Sequence, residues 1–240
     1  RRPPRSTLFP YTTLFRSDLT FLPKAGFTGS VQIGYEGTDS RGKTFRGQIR
    51  IQVNQGSGSR YFQDMGSYAW AAPYVDLLYE AGVITGTGGQ RYRPADAVSR
   101  GDFMLMLYRA FQLTPASGAG FPDVPPGSYY AQAIQAARAA GIASGYPDGG
   151  FHPQEPVTRQ DAMVLLERTM QATGWSLGAA NTGYLSGFRD GGMVAPYAQE
   201  AMSHMIEYGI ITGTPEQKLN PIQSISRAEM AVMLARAITF

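Results

Sequence analysis

Hydrophobic and polar positions change their period along this 240-residue chain. In the stretch 18–55 the period is two. Val31, Ile33 and Tyr35 alternate with Gln32 and Gly34, and Ile49, Ile51 and Val53 alternate with Arg50 and Gln52. β-Branched and aromatic residues in that rhythm predict two half-buried strands, joined by the turn-forming run Asp39-Ser40-Arg41-Gly42. From residue 61 onward the period is helical. Val75, Leu78 and Ala81 predict a helix over roughly 69–81. Ile134, Ala137 and Ala140 predict one over 129–140, and Met202, Met205 and Ile206 one over 197–208. A second set is apolar at Phe103, Met106, Leu107 and Ala110, at Met163, Leu166 and Met170, and at Met230, Met233, Leu234 and Ala237. These methionine-rich stripes read as core.

The helical part repeats itself three times. Phe62-x-Asp64 recurs as Phe121-x-Asp123 and Phe188-x-Asp190. Ala81-Gly82-Val83-Ile84-Thr85-Gly86 recurs at Ala140–Gly145 and Tyr208–Gly213. Val98-Ser99-Arg100-Gly101-Asp102 recurs as Val157-Thr158-Arg159-Gln160-Asp161 and Ile225-Ser226-Arg227-Ala228-Glu229. The marks shift by 59 residues from the first repeat to the second and by 67 or 68 to the third. Three motifs holding one register define repeats at about 61–113, 120–172 and 187–240. The extra length of the third interval falls in the Gly-rich connection 172–187.

Each repeat carries its own punctuation. Gly82, Gly141 and Gly209, each followed by an apolar residue, predict Schellman stops for the first helices. Tyr92-Arg93-Pro94, Phe151-His152-Pro153 and Leu219-Asn220-Pro221 follow, where the proline is expected to keep the preceding residue extended. Ser99, Thr158 and Ser226, with Asp102, Asp161 and Glu229 three residues on, predict N-caps with reciprocal capping boxes for the second helices. A single helical hairpin cannot bury both faces of its helices. Three repeats around a pseudo-threefold axis can share one core, so residues 61–240 are expected to form an all-α domain of three helix–loop–helix units.

One residue breaks a local rule in every repeat. Arg100, Arg159 and Arg227 sit at the first helical position, where a cation opposes the helix dipole by about 0.3–1 kcal/mol. Three at one equivalent position suggest a compensating use. A helix start offers N–H groups to an anion, and arginine adds a planar two-donor fork for a carboxylate or phosphate. The partner is either an acidic ligand or an acidic side chain of the protein, for instance Asp64, Asp123 or Asp190; the two are compatible. Gly86, Gly145 and Gly213 either let backbone approach a sugar or simply satisfy turn geometry. Trp70, Tyr129, Tyr130 and Tyr197 either stack on a sugar ring or belong to the core.

Composition narrows the chemistry. The absence of cysteine removes disulfides, Cys-ligated metals and thiol nucleophiles. With 43% hydrophobic and 12% aromatic residues the chain is not generally disordered. Net charge is +3 with no basic block, so no nucleic-acid partner is expected. No apolar run reaches the ~18 residues of a membrane span, so no membrane insertion is expected. The two histidines, His152 on a loop surface and His204 on a helix face, occupy non-equivalent positions, and H-E-x-x-H, G-x-S-x-G and P-loop patterns are absent. Asp64, Asp123 and Asp190 could supply paired carboxylates for glycoside hydrolysis, but three equivalent acids beside three arginines suit binding better. The expectation is a binding module: no catalysis, no cofactor and no metal.

Residues 1–17 follow neither period and lack the apolar core of a signal peptide. Their S-T-L-F-P-Y-T-T-L-F-R-S stretch reads as a translated cloning or sequencing adaptor, which places the natural N-terminus elsewhere. Residues 56–60 read as a flexible Gly/Ser linker.

At the three repeated motifs the chain resembles the S-layer homology domain, present as a triplet. That family's pattern is an F-x-D start, a helix ending in A-G-[IV]-[IV]-x-G, then F-x-P and a T-R-A-E box. Here the box reads S-R-G-D, T-R-Q-D and S-R-A-E. The resemblance implies a three-pronged, pseudo-threefold spindle of helices that anchors surface proteins non-covalently to the bacterial cell wall. It implies, as ligand, a secondary cell wall polysaccharide bearing pyruvate ketals, often on N-acetylmannosamine, seated in grooves between neighbouring repeats. Carried over residue by residue, Arg100, Arg159 and Arg227 would contact the pyruvyl carboxylate. Asp64, Asp123 and Asp190, with Gly86, Gly145 and Gly213, would line the grooves. The loops G-T-G-G-Q-R-Y, G-Y-P-D-G-G-F and G-T-P-E-Q-K-L differ, so the grooves need not bind equally. The segment 18–55 resembles the last strands of an immunoglobulin- or cadherin-like surface repeat, in which Asp39 is a turn residue or a calcium ligand. Two or three strands cannot close a sandwich, which marks the chain as the C-terminal piece of a longer surface protein. An extracellular, wall-associated location follows, with self-assembly beside neighbouring surface-layer protomers, or anchoring of an upstream enzyme, as the alternatives.

Overall fold

The computed structural model of the chain describes residues 29–38, 44–53, 58–118 and 120–239. The leader 1–17, the turn at Asp39–Gly42 and most of the linker lie outside the described residues.

The period-two stretch forms an antiparallel hairpin of β1 (Gly29–Thr38) and β2 (Thr44–Val53). Its register places Val31 opposite Ile51 and Ile33 opposite Ile49, so the apolar positions read from the alternation meet across the ladder. Val31, Ile33 and Ile51 are half-buried, whereas Tyr35 and Ile49 are exposed.

The repeated region forms six α-helices in three pairs: α1 (Ala72–Glu80) and α2 (Arg100–Ala110), α3 (Ala131–Ala139) and α4 (Arg159–Ala172), α5 (Gln199–Glu207) and α6 (Arg227–Thr239). The first helix of each pair begins two or three residues later than its periodicity predicts. Its N-caps are Ala71, Tyr130 and Ala198, none of which supplies a side-chain acceptor for the first amides. The preceding residues therefore stay in turns, one of them the 3-10 turn Pro196–Ala198. At the other end the expected stops are present. Gly82, Gly141 and Gly209 have φ of +69°, +71° and +67°. Val83, Ile142 and Ile210 donate back to Leu78, Ala137 and Met205, which is the Schellman pattern. Ala81 and Ala140, read as core positions, are instead exposed C-caps of α1 and α3.

Packing runs between repeats. Helix α3 lies on α2, α5 on α4, and α1 on α6, so each first helix packs on the second helix of the preceding repeat and the third repeat closes on the first. At the centre the strand-like residues before the second helices form a closed ring of backbone bonds. Val98 N–H donates to Ile225 (3.0 Å), Ile225 to Val157 (3.1 Å) and Val157 to Val98 (2.9 Å). All three side chains are buried, as are Phe103, Met163, Met230 and Met233 of the predicted stripes. Within a repeat, Arg109, Arg168 and Arg236 tie the second helix to the stop of the first by donating to the carbonyls of Val83, Ile142 and Ile210.

Candidate functional site: the three grooves between repeats

Each groove is built where the start of a second helix meets the loop of the next repeat. The helix-start amides are not free there. Arg100, Arg159 and Arg227 N–H donate to the carbonyls of Glu155, Gln223 and Asp96 in the neighbouring loop. The next amides, from Gly101, Gln160 and Ala228, donate to Pro153, Pro221 and Pro94. The third set, from Asp102, Asp161 and Glu229, is capped by Ser99, Thr158 and Ser226 hydroxyls at 3.1–3.2 Å. Of the helix N–H groups that the sequence offers to an anion, the first two of each helix thus join repeats and the third is capped within its own repeat.

The capping boxes are complete only once. Glu229 Oε2 accepts from Ser226 N–H at 3.0 Å. In the first two repeats the shorter Asp102 and Asp161 side chains instead accept from Tyr129 and Tyr197 hydroxyls at 2.7 Å. Burial first, then these hydrogen bonds to a carboxylate, push both tyrosines up to about 12.

The F-x-D acids hold the loops. Asp64 accepts from the amides of Tyr92 (2.9 Å) and Arg93 (2.8 Å), Asp123 from Phe151 (2.9 Å) and His152 (2.7 Å), and Asp190 from Leu219 (2.7 Å) and Asn220 (2.8 Å). Arg93, His152 and Asn220 adopt φ of +58°, +58° and +51°. The residue before each proline is therefore left-handed rather than extended as its sequence predicts. Two amides aimed at one carboxylate hold that strained turn. Burial pushes the Asp64 and Asp123 carboxyls up, but the two amide hydrogen bonds outweigh it and leave both below the ordinary value. The loop glycines serve the same loops. A Cβ on Gly86 or Gly145 would lie 2.6 Å from the Phe62 or Phe121 ring and 2.9 Å from a loop carbonyl, and Gly213 is crowded by Phe188 in the same way.

The three arginines start alike and finish differently. Their Nε groups donate to the carbonyls of Phe151 (3.1 Å), Leu219 (2.8 Å) and Tyr92 (2.8 Å) in the following repeat. No F-x-D acid forms an ion pair with them among the described residues; for Arg100 and Arg159 the box acid of the next repeat takes that place. Arg100 approaches Asp161 at 4.0 Å, and Arg159 pairs with Glu229 at 3.2 Å. Arg100 also lies under the Tyr146 ring, 4.7 Å from its centroid, and is only 8% exposed. Burial pulls Arg159 below the ordinary arginine value against the opposing pull of Glu229. Arg227 has neither device. It donates to Thr85 carbonyl at 3.1 Å and sits over Tyr92 at 4.6 Å.

At each groove mouth stands one exposed aromatic at an equivalent position: Trp70 (40% exposed), Tyr129 (67%) and Tyr197 (60%). Tyr130 is buried. Sequence reasoning missed three contributors. Tyr146 covers Arg100, and Gln160 bridges Tyr197 Oη (3.0 Å) to Ala195 N–H (3.1 Å). The set Arg109, Arg168 and Arg236 was legible, since it keeps the register of the other marks. His152 lies between Asp148 (2.8 Å) and Glu155 (2.9 Å), and these two acids raise its pKa. His204 lies on a face of α5, as expected, and is buried there against Glu167 of α4.

A family model for the S-layer homology domain matches the chain three times, at residues 61–104, 120–163 and 187–231. Similar proteins include an endoglucanase from a Bacillus species, 28% identical over 174 residues, which span 72% of this chain and 18% of that protein. A surface-layer 125 kDa protein from Lysinibacillus sphaericus is 29% identical over 180 residues, 74% of this chain and 14% of its own length. An amylopullulanase from Thermoanaerobacterium thermosulfurigenes is 29% identical over 171 residues, 69% of this chain and 9% of its own length. The chain therefore spans less than a fifth of each of these relatives.

Proposed function

Because the chain belongs to the S-layer homology domain family, we propose that it is a non-covalent cell-wall anchor that binds an acidic, pyruvylated wall polysaccharide in its inter-repeat grooves. The observation that carries this reading is the threefold seating of Arg100, Arg159 and Arg227. Each is held by an Nε–carbonyl bond across a repeat boundary, which fixes its guanidinium plane at the junction of two repeats. A planar cationic fork fixed in that way suits a carboxylate such as a pyruvate ketal. The exposed Trp70, Tyr129 and Tyr197 beside the arginines offer flat faces for a sugar ring. Asp64, Asp123, Asp190, Gly86, Gly145 and Gly213 set the groove wall by fixing the loop whose carbonyl seats each arginine. N-acetylmannosamine is the proposed carrier of the ketal.

The protein of which this chain is a part would then be held at the cell surface, in keeping with the surface-layer relative. The endoglucanase and amylopullulanase relatives favour a second reading for the whole protein, the anchoring of a polysaccharide-degrading enzyme. No helix among the described residues is long and apolar enough to cross a membrane. The test is co-sedimentation with purified sacculi. The protein is expected to pellet with intact sacculi and to stay in solution with sacculi stripped of polysaccharide. Equal pelleting on stripped peptidoglycan would overturn the polysaccharide reading.

A further inference from the structure

We infer that the hydroxyls of Tyr129 and Tyr197 are positioning groups that hold the box carboxylates Asp102 and Asp161 off the box arginines, so that an acidic sugar competes less with the protein's own acids. This inference rests on the polysaccharide reading above and deepens it, by giving these two tyrosines a part in selecting a charged ligand.

The repeats close in a fixed order. The box arginine of one repeat approaches the box acid of the next: Arg100 lies 4.0 Å from Asp161, and Arg159 lies 3.2 Å from Glu229. Arg227 docks on the first repeat as Arg100 docks on the second. Its amide donates to Asp96 and its Nε to Tyr92, where Arg100 uses Glu155 and Phe151. The same step therefore directs Arg227 toward Asp102, yet among the described residues Arg227 forms no ion pair. Asp102 Oδ1 instead accepts from Tyr129 Oη at 2.7 Å. Arg227 belongs to this cluster. Burial, then the hydrogen bond to Asp102, raise the Tyr129 phenol to about 12, and the Arg227 charge opposes them.

Asp161 is held in the same way and more firmly. Its Oδ1 accepts from Tyr197 Oη at 2.7 Å, which leaves Oδ2 facing Arg100 at 4.0 Å. Gln160 Nε2 donates to the same phenol at 3.0 Å, and Gln160 Oε1 is itself fixed by the Ala195 amide at 3.1 Å. A charge-assisted bond from arginine to carboxylate needs about 2.7–2.9 Å, so a carboxylate kept at 4 Å competes less well with a ligand. The remaining case lacks the device. The first repeat has Trp70 at the position of Tyr129 and Tyr197, with no hydroxyl. There the acid closes on its arginine: Glu229 Oε1 accepts from Arg159 at 3.2 Å while Oε2 serves Ser226. Glutamate is one methylene longer than aspartate, and that reach also favours the contact. The decisive experiment therefore keeps each aspartate and changes only the phenol.

The double variant Tyr129→Phe/Tyr197→Phe keeps both rings and removes both hydroxyls. The probe is a pyruvate-ketal glycoside of N-acetylmannosamine, with its unpyruvylated parent sugar as control. In calorimetry on the whole chain, with helical circular dichroism unchanged, the variant is expected to bind the pyruvylated probe about three- to fivefold more weakly, the range of a partly exposed ion pair. Affinity for the control sugar should not change. Adding Asp102→Asn and Asp161→Asn, which removes the competing charges, should restore binding of the probe. Parent-like binding of the probe by the double variant would overturn the inference and leave the polysaccharide reading standing. Equal weakening for both sugars without rescue by asparagine would do the same, since it would mark a direct contact between phenol and sugar. No binding of the pyruvylated probe by the parent chain would overturn both.

Discussion

Asp64, Asp123 and Asp190 do their work through geometry that a list of charges does not reveal. Each accepts two consecutive amides and holds a non-glycine residue at positive φ just before a proline. For Asp64 and Asp123 the folded carboxyl lies below its ordinary value of 3.8. The folded state therefore favours the ionised form more than the unfolded chain does. That contribution is complete above the ordinary value and is lost as pH falls through the lowered folded values. Melting temperature should hold steady above pH 5 and drop below about pH 4, and the Asp64→Asn variant should show a shallower drop than the parent. Equal pH slopes for the two would show that the clamp is not the source. The residue types and their spacing were legible in the sequence. Their partner was not, because the amides they bind lie 28–30 residues away and the left-handed turn is the opposite of what a pre-proline position favours.

At the level of elements, the second helices are specified locally and the first helices are not. Ser99, Thr158 and Ser226 each cap the third amide of their helix, and Gly82, Gly141 and Gly209 close the helices before them. Thr158→Ala should cost about 1 kcal/mol of stability, read as a lower denaturation midpoint at unchanged slope. An unchanged midpoint would mean that the inter-repeat bonds from Arg159 and Gln160 amides hold that helix start alone. The periodicity found all six helices, yet it overran the first of each pair at its start. Apolar residues before α1, α3 and α5 pack into the domain from turns, and a hydrophobic period cannot distinguish a buried turn from a buried helix.

For the whole molecule, the contacts that matter cross repeat boundaries. The central Val98–Ile225–Val157 ring needs all three repeats, and α1 finds its partner only in α6 at the far end of the domain. The full chain should lose its helical signal in one cooperative transition. A fragment spanning 120–172 alone should show no cooperative melt, since α3 and α4 would each lose the helix they pack on. A folded single repeat would refute that dependence.

Repetition is what the sequence determined by itself: three copies of each turn, cap and arginine imply three equivalent grooves, because local geometry depends only on local residues. Tertiary structure decided that the grooves are not equivalent. The partner of each box arginine comes from another repeat, and there the copies have diverged. Asp161 and Tyr146 answer Arg100 and Glu229 answers Arg159, whereas among the described residues Arg227 forms no ion pair and meets backbone carbonyls and the Tyr92 ring. A charge is open or closed according to what lies within a few ångströms of it in space, and along the chain those neighbours are 46 or more residues apart.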